Sequence, residues 1–229
     1  HRRYHYEEDD YYESNSGPVS NSSNTPYLQN QRWKNVFKVS QHEIDYHLAH
    51  YTQPNYTASQ NISNWPAHGD TSLGEAYYLA PFVDQNADGT YNPLDGDYPQ
   101  IKGNQAIYHI YNDMYTADGI NPFGLEIHKM AYAYQCTDSA IQNTVFVEYT
   151  IFNRSNRTYD STLIGLWSDF DIGNANDDYI GTDVNRSMFY VYNSDDLDDD
   201  NGFNGYGEYI PAQGIMVLKG PQQDDDGDD

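Results

Sequence analysis

The chain has 229 residues, of which 35 are acidic and 11 are basic, so its formal net charge at pH 7 is −24. Nucleic acid and anionic lipid surfaces repel a chain this acidic, which excludes both as partners. No apolar run approaches the roughly 18 residues that a membrane span needs, so the sequence predicts no transmembrane segment.

The composition favours a folded chain with long loops. Asp supplies 27 of the 35 acids, and Asp prefers loops and metal sites whereas Glu prefers helices. Aromatic residues make up 15% of the chain, which is more than disordered acidic chains contain. Cys136 is the sole cysteine, so no internal disulfide can form. A secreted chain of this kind needs another stabilising link, and bound metal is the usual one.

The N-terminal part of the chain predicts one arm and one helix. Residues 1–31 are polar and poorly patterned, and we expect an extended arm or linker there. Ser40 and Glu43 have the spacing of a helix capping box, and Ile44 and Leu48 follow at helical spacing. The pattern therefore predicts a helix over residues 41–50.

From residue 105 onward the pattern is that of β-strands. Apolar alternation bounded by turn residues predicts six short strands, at residues 105–111, 125–134, 144–152, 162–170, 187–192 and 214–218. The apolar phase shifts near Lys129, which predicts a β-bulge. The nearly continuous apolar run 163–167 predicts a strand covered on both faces, with Trp167 in the core. We expect Glu126 and Glu148 on the polar face of their strands.

Together these elements predict a mainly β fold, an antiparallel β-sandwich or jelly-roll-like domain with one short N-terminal helix and long Asp-rich calcium loops. The predicted organisation is an arm over residues 1–31 and a single calcium-binding sandwich domain over residues 32–221. An acidic tail over residues 222–229 is predicted to begin a further segment.

A twelve-residue stretch has the spacing of an EF-hand calcium loop. Oxygen-bearing residues occupy positions 1, 3, 5, 7, 9 and 12, and glycine occupies position 6: Asp84, Asn86, Asp88, Thr90, Asn92, Asp95 and Gly89. Ca²⁺ takes six to eight oxygen ligands, and a main-chain carbonyl is expected from position 7. Asp replaces the usual Glu at position 12, and Pro93 stands where an exiting helix would begin. The sequence predicts a calcium loop without flanking helices; the alternative is a solvated turn rich in Asn and Asp.

A second acidic cluster follows in the C-terminal third, where residues 169–229 hold 16 acids and two bases. Converging carboxylates repel one another unless a cation lies between them. The cluster predicts a second metal site formed by Asp169, Asp171, Asp177, Asp178 and Asp183. The alternative is a loop of splayed, hydrated acids. The acidic runs at 195–202 and 224–229 leave the same two alternatives open.

Signatures of catalysis are missing from the sequence. His47 and His50 are three residues apart, but no third ligand follows at a spacing useful for zinc. No nucleophile elbow, phosphate-binding glycine loop or dinucleotide fingerprint occurs. The sequence therefore predicts that the protein is not an enzyme, with a calcium-dependent hydrolase as a less favoured alternative.

Several motifs resemble one family. NWPAHG at residues 64–69, YLAPFVD at 78–84, YNPLDGDYP at 91–99 and GLWSDFDIG at 165–173 are similar to segments of the large secreted surface proteins that Bacteroidota export by the type IX secretion system. The resemblance implies an extracellular or cell-surface location and no characterised reaction. It also implies O-glycosylation at Ser139 and at Ser161 or Thr162, which lie in short Asp-Ser/Thr motifs.

These observations predict an extracellular, calcium-stabilised structural or surface protein. We expect it to be a subunit of a fibre or surface assembly, and hence a homo-oligomer or homopolymer with Ca²⁺ as its cofactor. The alternative is a carbohydrate-binding or adhesive domain of a secreted surface protein, with cell-surface glycans as its partner.

Overall fold

The computed structural model describes residues 15–21, 31–114, 122–200 and 204–221. The chain divides into two compact units, residues 1–157 and residues 158–229. Most of the predicted arm and all of the predicted acidic tail lie outside the described residues. The single domain over residues 32–221 stays a prediction.

Antiparallel strands and short helices form the described part of the chain. The strands are β1 (Asn15–Ser16), β2 (Phe37–Ser40), β3 (Phe82–Val83), β4 (Tyr98–Pro99), β5 (Gln105–Asn112), β6 (Leu125–Ala133), β7 (Phe146–Asn153), β8 (Asp178–Asp183), β9 (Met188–Asn193) and β10 (Gln213–Met216). The helices are α1 (Gln41–His50), α2 (Gln60–Ser63) and α3 (Ser139–Gln142). The prediction of a mainly β, antiparallel fold with few helices is confirmed. Within the described ranges the longest helix has ten residues, and none could cross a bilayer.

Helix α1 begins and ends where the sequence predicts. The Ser40 hydroxyl accepts a hydrogen bond from the Glu43 N–H (3.3 Å), and the Glu43 carboxylate accepts one from the Ser40 N–H (3.0 Å). This reciprocal capping satisfies two backbone donors at the start of the helix. Ile44 and His47 are the buried residues of the helix, whereas Leu48 of the predicted apolar spacing is exposed.

The first unit is built on one antiparallel sheet. Strand β5 pairs with β6 on one side and with both β1 and β2 on the other, and β7 extends the sheet beyond β6. The register of β6 is constant from Glu126 to Ala133 against β5 and from Leu125 to Tyr132 against β7. The predicted bulge at Lys129 is therefore wrong. The apolar phase shifts there because both faces of β6 carry apolar side chains.

The two faces of this sheet differ. One face packs against α1, α2 and the loops that follow them, and it forms a core of twelve buried side chains: Trp33, Val39, Ile44, Ile62, Trp65, Ala67, Leu79, Ala80, Ala106, Tyr108, Ile110 and Met130. The opposite face, which we call the open face, leaves side chains such as Ile107, Val147 and Ile151 exposed in the described part of the chain.

The second unit contains a three-stranded antiparallel sheet in the order β10-β9-β8. Strands were predicted near β9 and β10, but β8 was not, because its acidic ends obscure the pattern. The strand predicted at residues 162–170 is wrong: no strand is assigned there, and Leu163 and Trp167 are 96% and 73% exposed. A continuous apolar run forms a buried strand only where other layers cover it. Among the described residues of this unit only Ile172 and Val191 are buried apolar side chains.

Candidate metal centre

The calcium-type loop folds as a tight turn around its first acid. The Asp84 carboxylate accepts hydrogen bonds from the Asp88 N–H (3.3 Å) and the Gly89 N–H (2.7 Å). Gly89 has φ +79°, a left-handed conformation, and a Cβ there would lie 3.0 Å from the Tyr78 hydroxyl. Position 6 therefore favours glycine for two reasons: the backbone there is left-handed, and the Tyr78 hydroxyl leaves little room for a side chain.

The next ligand positions repeat this local bonding. Asn86 Oδ1 accepts from the Asp88 N–H (3.1 Å), and Asp88 Oδ1 accepts from the Thr90 N–H (2.7 Å). Three predicted ligands, at positions 1, 3 and 5, therefore hold the same bend. The Asn86 amide also donates to Asp88 Oδ2 (3.0 Å), so every side-chain oxygen of these three residues accepts a hydrogen bond. Carboxylate and amide oxygens are the hard ligands that Ca²⁺ takes.

Positions 9 and 12 bond to each other. The Asn92 amide donates to Asp95 Oδ2 (2.6 Å), and Asn92 Oδ1 accepts from the Leu94 N–H (3.1 Å). Nowhere within residues 15–21, 31–114, 122–200 and 204–221 do three His, Cys, Asp or Glu side chains come together as a metal-binding group. The oxygen-only donor set of the loop fits a hard cation, with Asp84, Asn86, Asp88, the Thr90 carbonyl, Asn92 and Asp95 as the residues that would hold it.

The loop is anchored by an acid that the motif does not contain. Asp97 is fully buried; its Oδ1 accepts from the Gln85 N–H and its Oδ2 from the Asn92 N–H, both at 2.8 Å. The Asp97 carboxylate thereby ties the start of the loop to its end. Sequence reasoning missed this role, since only its position two residues after Asp95 hints at it.

Aromatic side chains join the same loop to the core. His68 Nε2 accepts from the Tyr91 N–H (2.8 Å), and its Nδ1 donates to the Tyr77 carbonyl (3.2 Å). The Tyr91 hydroxyl donates to the carbonyl of Ile62, a core residue (2.7 Å). Burial raises the pKa of Tyr91, so this donor stays protonated. A change in the loop is therefore transmitted directly to the core of the first unit.

Three members of the second predicted cluster are not brought into a common site. Asp169 and Asp171 are exposed. Asp183 forms an ion pair with Arg186 and accepts its N–H (3.1 Å), which begins the short 3₁₀ turn after β8. The hydrogen bond from the Arg186 side chain lowers the pKa of Asp183. Asp183 thus already has a cationic partner.

Asp177 and Asp178 are partly buried and lie at the start of β8. Asp178 Oδ2 accepts from the Ile172 N–H (2.8 Å), and Asp177 Oδ2 accepts from the Asn174 amide (3.3 Å). In each carboxylate only one oxygen has a hydrogen-bond donor among the described residues, because Oδ1 of both is buried without one. The two acids are neighbours in the chain, but their carboxylates accept hydrogen bonds from different partners.

Asp198, from the acidic run 195–202, has a structural role that the sequence did not reveal. It is buried and accepts from the Asn174 N–H (3.0 Å) and the Tyr206 N–H (2.7 Å). A Cβ on Gly173 would lie 1.9 Å from Asp198 Oδ2. Glycine at position 173 therefore permits this close approach. The second acidic run, 224–229, lies outside the described residues.

A buried polar network lies under the main sheet. Glu126 is fully buried, so the expectation that it lies on a polar face is wrong. Its Oε1 accepts hydrogen bonds from His128 Nε2 (2.9 Å) and from the Arg154 guanidinium (3.1 Å). Its Oε2 accepts one from the Val19 N–H (2.7 Å). Burial alone would raise the pKa of Glu126, but these partners together hold it below its ordinary value. His128 Nδ1 lies 2.7 Å from the Tyr108 hydroxyl.

A cleft of about 230 Å³ opens beside the first turn of α1. Its lining combines aromatic rings with polar groups: His42, Glu43, Tyr46, Tyr56, Thr57 and Ser59. The ring centroids of Tyr46 and Tyr56 are 6.2 Å apart, and their planes are inclined by 50°. The two rings are therefore in contact with each other, and a small ring could lie only against their outer faces, beside the polar groups of the cleft. No pattern in the sequence pointed to it.

The predicted glycosylation sites and tryptophans have the following surroundings. Ser139, Ser161 and Thr162 are all exposed, as an acceptor site requires. Trp167 is exposed rather than in the core, as given above, whereas Trp65 is buried against Tyr108 with the ring centroids 5.4 Å apart. The expectation that Trp167 is a core residue is wrong.

Comparison with protein-family models, with curated proteins and with solved structures finds no match to this chain. The resemblance to secreted surface proteins of Bacteroidota stays a prediction from the quoted motifs.

Proposed function

We propose that the protein is an extracellular, calcium-stabilised structural protein that packs against copies of itself in a surface assembly or fibre. It acts as a building block and not as an enzyme. The cell-surface location rests on the resemblance of its motifs to type IX secretion cargo.

One observation carries the proposal: the loop over residues 84–97 combines calcium-type ligand spacing with direct anchorage in the core. Asp97 closes the loop through two 2.8 Å hydrogen bonds, and Tyr91 bonds to the core residue Ile62. A cation bound by Asp84 and Asp88 would therefore stabilise the whole unit and not the loop alone. The role is structural: Asp84, Asp88 and Asp95 would hold the ion through their carboxylate oxygens, and a bound cation would offset their negative charge.

Calcium titration after chelation tests the proposal. Extracellular calcium modules bind with Kd on the order of 10⁻⁴ to 10⁻³ M, and an excess of 100 Kd stabilises a protein by about 2.7 kcal/mol. We expect calorimetry to detect at least one site and chelator to lower the melting temperature. Asp88→Ala should weaken that binding, whereas the matched control Asp45→Ala removes an exposed helix carboxylate and should not. Unchanged melting in excess chelator contradicts the proposal.

The open face supports the assembly part of the proposal. Its central nine residues form three rows across β5, β6 and β7: Ile107, Ala131 and Val147; His109, Lys129 and Tyr149; Tyr111, Ile127 and Ile151. None of these nine is acidic in a chain of net charge −24. Contact between two copies at these residues would therefore bring no carboxylates of the nine into opposition.

A second copy laid face to face on this surface would also supply the second layer of the predicted sandwich. Sheets pack about 10 Å apart when apolar faces meet, and seven of the nine side chains, all except His109 and Lys129, are aliphatic or tyrosine groups suited to that contact. We expect sedimentation at raised protein concentration to give a mass of two or more chains, and electron microscopy to reveal larger particles or fibres. A chain that remains a monomer at all concentrations contradicts this part of the proposal.

Glycosylation is a further part of the proposed surface role. We expect native material to carry glycans at Ser139 or at Ser161 or Thr162, all of which are exposed. Intact mass spectrometry gives the result directly, because native material at the bare polypeptide mass of 26.3 kDa has no glycan.

Carbohydrate binding is the second candidate function, favoured by the cleft at α1. Tyr46 and Tyr56 provide two inclined aromatic faces, and Thr57 and His42 provide polar groups beside them. A single sugar ring is the class of ligand that matches such a lining. Screening against immobilised glycans tests it: binding should be lost in Tyr46→Ala and kept in Tyr149→Ala, which removes a tyrosine from the open face. A calcium-dependent hydrolase is less favoured than either.

A further inference from the structure

The apolar run over residues 163–167 lies at the surface of the second unit. Leu163, Ile164, Leu166 and Trp167 are 96%, 57%, 52% and 73% exposed, and a Cβ on Gly165 would meet no atom within 4 Å. Single exposed apolar side chains are ordinary, but four within five consecutive residues form a contiguous patch of the kind that marks an interaction site.

The backbone of this run has the character of a strand that belongs to no sheet of its unit. Residues 162–172, all of them described, contain no helix, turn or bend, and none of them has a positive φ. These are the features of an extended segment, yet no strand is assigned there. An extended segment outside a sheet can pair its backbone with the strand of another chain.

Strand β7 provides the longest sheet edge in the described part of the chain. It pairs with β6 on one side and ends the strand order of its sheet. It has eight residues, whereas β8, at an edge of the other sheet, has six and carries Asp at both ends. Natural edge strands are commonly protected by Pro, Lys or a bulge. Strand β7, with the sequence FVEYTIFN and an unbroken register, has none of the three.

The chain that follows β7 does not turn back along this outer edge. The Arg154 N–H donates to the Gly124 carbonyl (2.8 Å), and the Arg157 guanidinium donates to the Pro122 carbonyl (3.2 Å). Both acceptors directly precede β6, the neighbour of β7 on its paired side. Residues 154–157 are therefore held toward β6 and not along the outer edge of β7.

The run and the β7 edge carry little charge in a chain of net charge −24. Residues 163–167 contain no charged side chain. Glu148 is the sole acid of β7, and it forms an ion pair with Lys102. A contact between the two segments therefore opposes no unpaired carboxylate of either.

We propose that the run over residues 163–167 of one copy adds as a strand to the outer edge of β7 in a second copy. Five extended residues span about 17 Å and eight span about 27 Å, so the run fits within the edge. Backbone hydrogen bonds would provide the affinity, and alternate apolar side chains would lie beside the exposed Val147 and Ile151. The expected glycan acceptors Ser161 and Thr162 lie outside the run, so both features can occur in one chain. The inference rests on the proposed self-assembly.

This contact differs in symmetry from the face-to-face contact proposed above. Two open faces that meet are the same surface on both copies, and such a contact closes at two copies. The run and the β7 edge are different surfaces, so each copy can donate one strand and receive another. A contact of this kind continues into a ring or an open filament. It therefore supplies the growth that a fibre requires.

Removing apolar side chains from the run tests the inference in the full chain. Ile164→Ser combined with Leu166→Ser should fold like the wild type, because both side chains are exposed. Where the wild type forms fibres, this variant should form none, and sedimentation should give no species above two chains. Val36→Ser combined with Leu94→Ser also removes two exposed aliphatic side chains, and this matched control should assemble like the wild type.

Disulfide trapping identifies the two surfaces that meet. In a Cys136→Ser background, chains with Thr150→Cys in β7 are mixed with chains that carry Ile164→Cys or Gly165→Cys, which together cover both faces of an added strand. Mild oxidation should give a covalent dimer that contains one chain of each kind. The same mixture with Asp45→Cys, at an exposed site on α1, should not.

Four results overturn the inference, and they differ in what else they exclude. Undiminished fibres in the Ile164→Ser, Leu166→Ser variant exclude the run as donor and keep the proposed assembly. A disulfide between two Thr150→Cys chains, in place of the mixed one, shows that β7 pairs with β7. A chain that carries both substitutions of a mixed pair and forms an internal disulfide at high dilution shows that the run pairs with its own β7. A wild type that stays monomeric contradicts both the inference and the assembly part of the proposed function.

Discussion

The two acidic regions of the chain use buried carboxylates in the same way but differ in what surrounds them. Asp97 in the first unit and Asp198 in the second each accept hydrogen bonds from two backbone N–H groups. Around Asp97 a large apolar core holds the loop. In the unit of Asp198 few of the described apolar side chains are buried, and Asp177 and Asp178 each have one oxygen without a donor among the described residues.

This difference shows that acid density does not by itself identify a metal site. The loop over residues 84–97 has the better sequence motif, yet many of its oxygens are already used by backbone donors. The region from residue 172 to 198 has no fixed spacing, yet it leaves buried oxygens unused. Identifying the buried oxygens that lack a hydrogen-bond donor is therefore a more direct test for a cation than counting acidic residues.

The largest loss of unfolding free energy is expected for Glu126, a buried acid that differs from Asp97 and Asp198 because it is paired with Arg154 and His128. Glu126→Gln removes the charge that Arg154 and His128 face inside the first unit. Breaking a buried pair by removing one partner costs about 3–5 kcal/mol, and we expect a loss of that order in urea unfolding. Glu148→Gln is the matched control, because its ion pair with Lys102 is half exposed and should contribute less than about 1 kcal/mol. Equal losses would contradict the buried pairing.

The next largest losses of unfolding free energy are expected for substitutions of Asp97 and Asp198. Asp97→Ala leaves the N–H groups of Gln85 and Asn92 without acceptors, and Asp198→Ala does the same to Asn174 and Tyr206. An orphaned buried donor costs about 1–3 kcal/mol, so each variant should lose about 3 kcal/mol in denaturant unfolding. Asp45→Ala, at an exposed site on helix α1, is the control. If Asp198→Ala is neutral while Asp97→Ala is not, the two regions are less alike than their hydrogen bonds indicate.

A smaller effect is expected from pH. The folded-state pKa of Glu126 lies below its ordinary value of 4.5, so the folded protein binds this proton less readily than the unfolded chain. Its contribution to stability is complete above that ordinary value and is lost as the pH falls through the folded-state pKa. The stability difference between the wild type and Glu126→Gln should therefore shrink on acidification. A difference that stays constant down to the lowest pH at which both fold would contradict this linkage.

The smallest effect on the free energy of unfolding is expected at the open face. Ile107→Ser combined with Ile151→Ser should change monomer stability by no more than about 1 kcal/mol, since both side chains are exposed. Self-association measured by sedimentation should nevertheless fall, because the substitutions remove the contact proposed between copies. Leu94→Ser, in an exposed turn, is the control. Association unaffected by the double variant would show that copies meet elsewhere.

Local signals in the sequence determined several features correctly. The Ser40–Glu43 capping box and its apolar spacing predicted helix α1 with its observed bounds. Alternation predicted β5, β6 and β7 to within two residues. These features depend on residues only a few positions apart, so the sequence alone contains the information. The calcium-type spacing at residues 84–95 is local in the same sense, and its ligand role stays a prediction.

Tertiary structure alone decided which side chains are buried and which polar atoms have partners. The run at residues 163–167 has the apolar pattern of a buried strand, but burial requires covering layers that no local pattern can specify. Glu126 meets Val19 across 107 positions, and Asn193 meets Asp178 only through the register of β8 and β9. The free energy of a buried polar atom depends on donors brought from distant parts of the chain. That is why the sequence located the acidic regions, whereas only the fold distinguished oxygens that accept a hydrogen bond from those without a donor among the described residues.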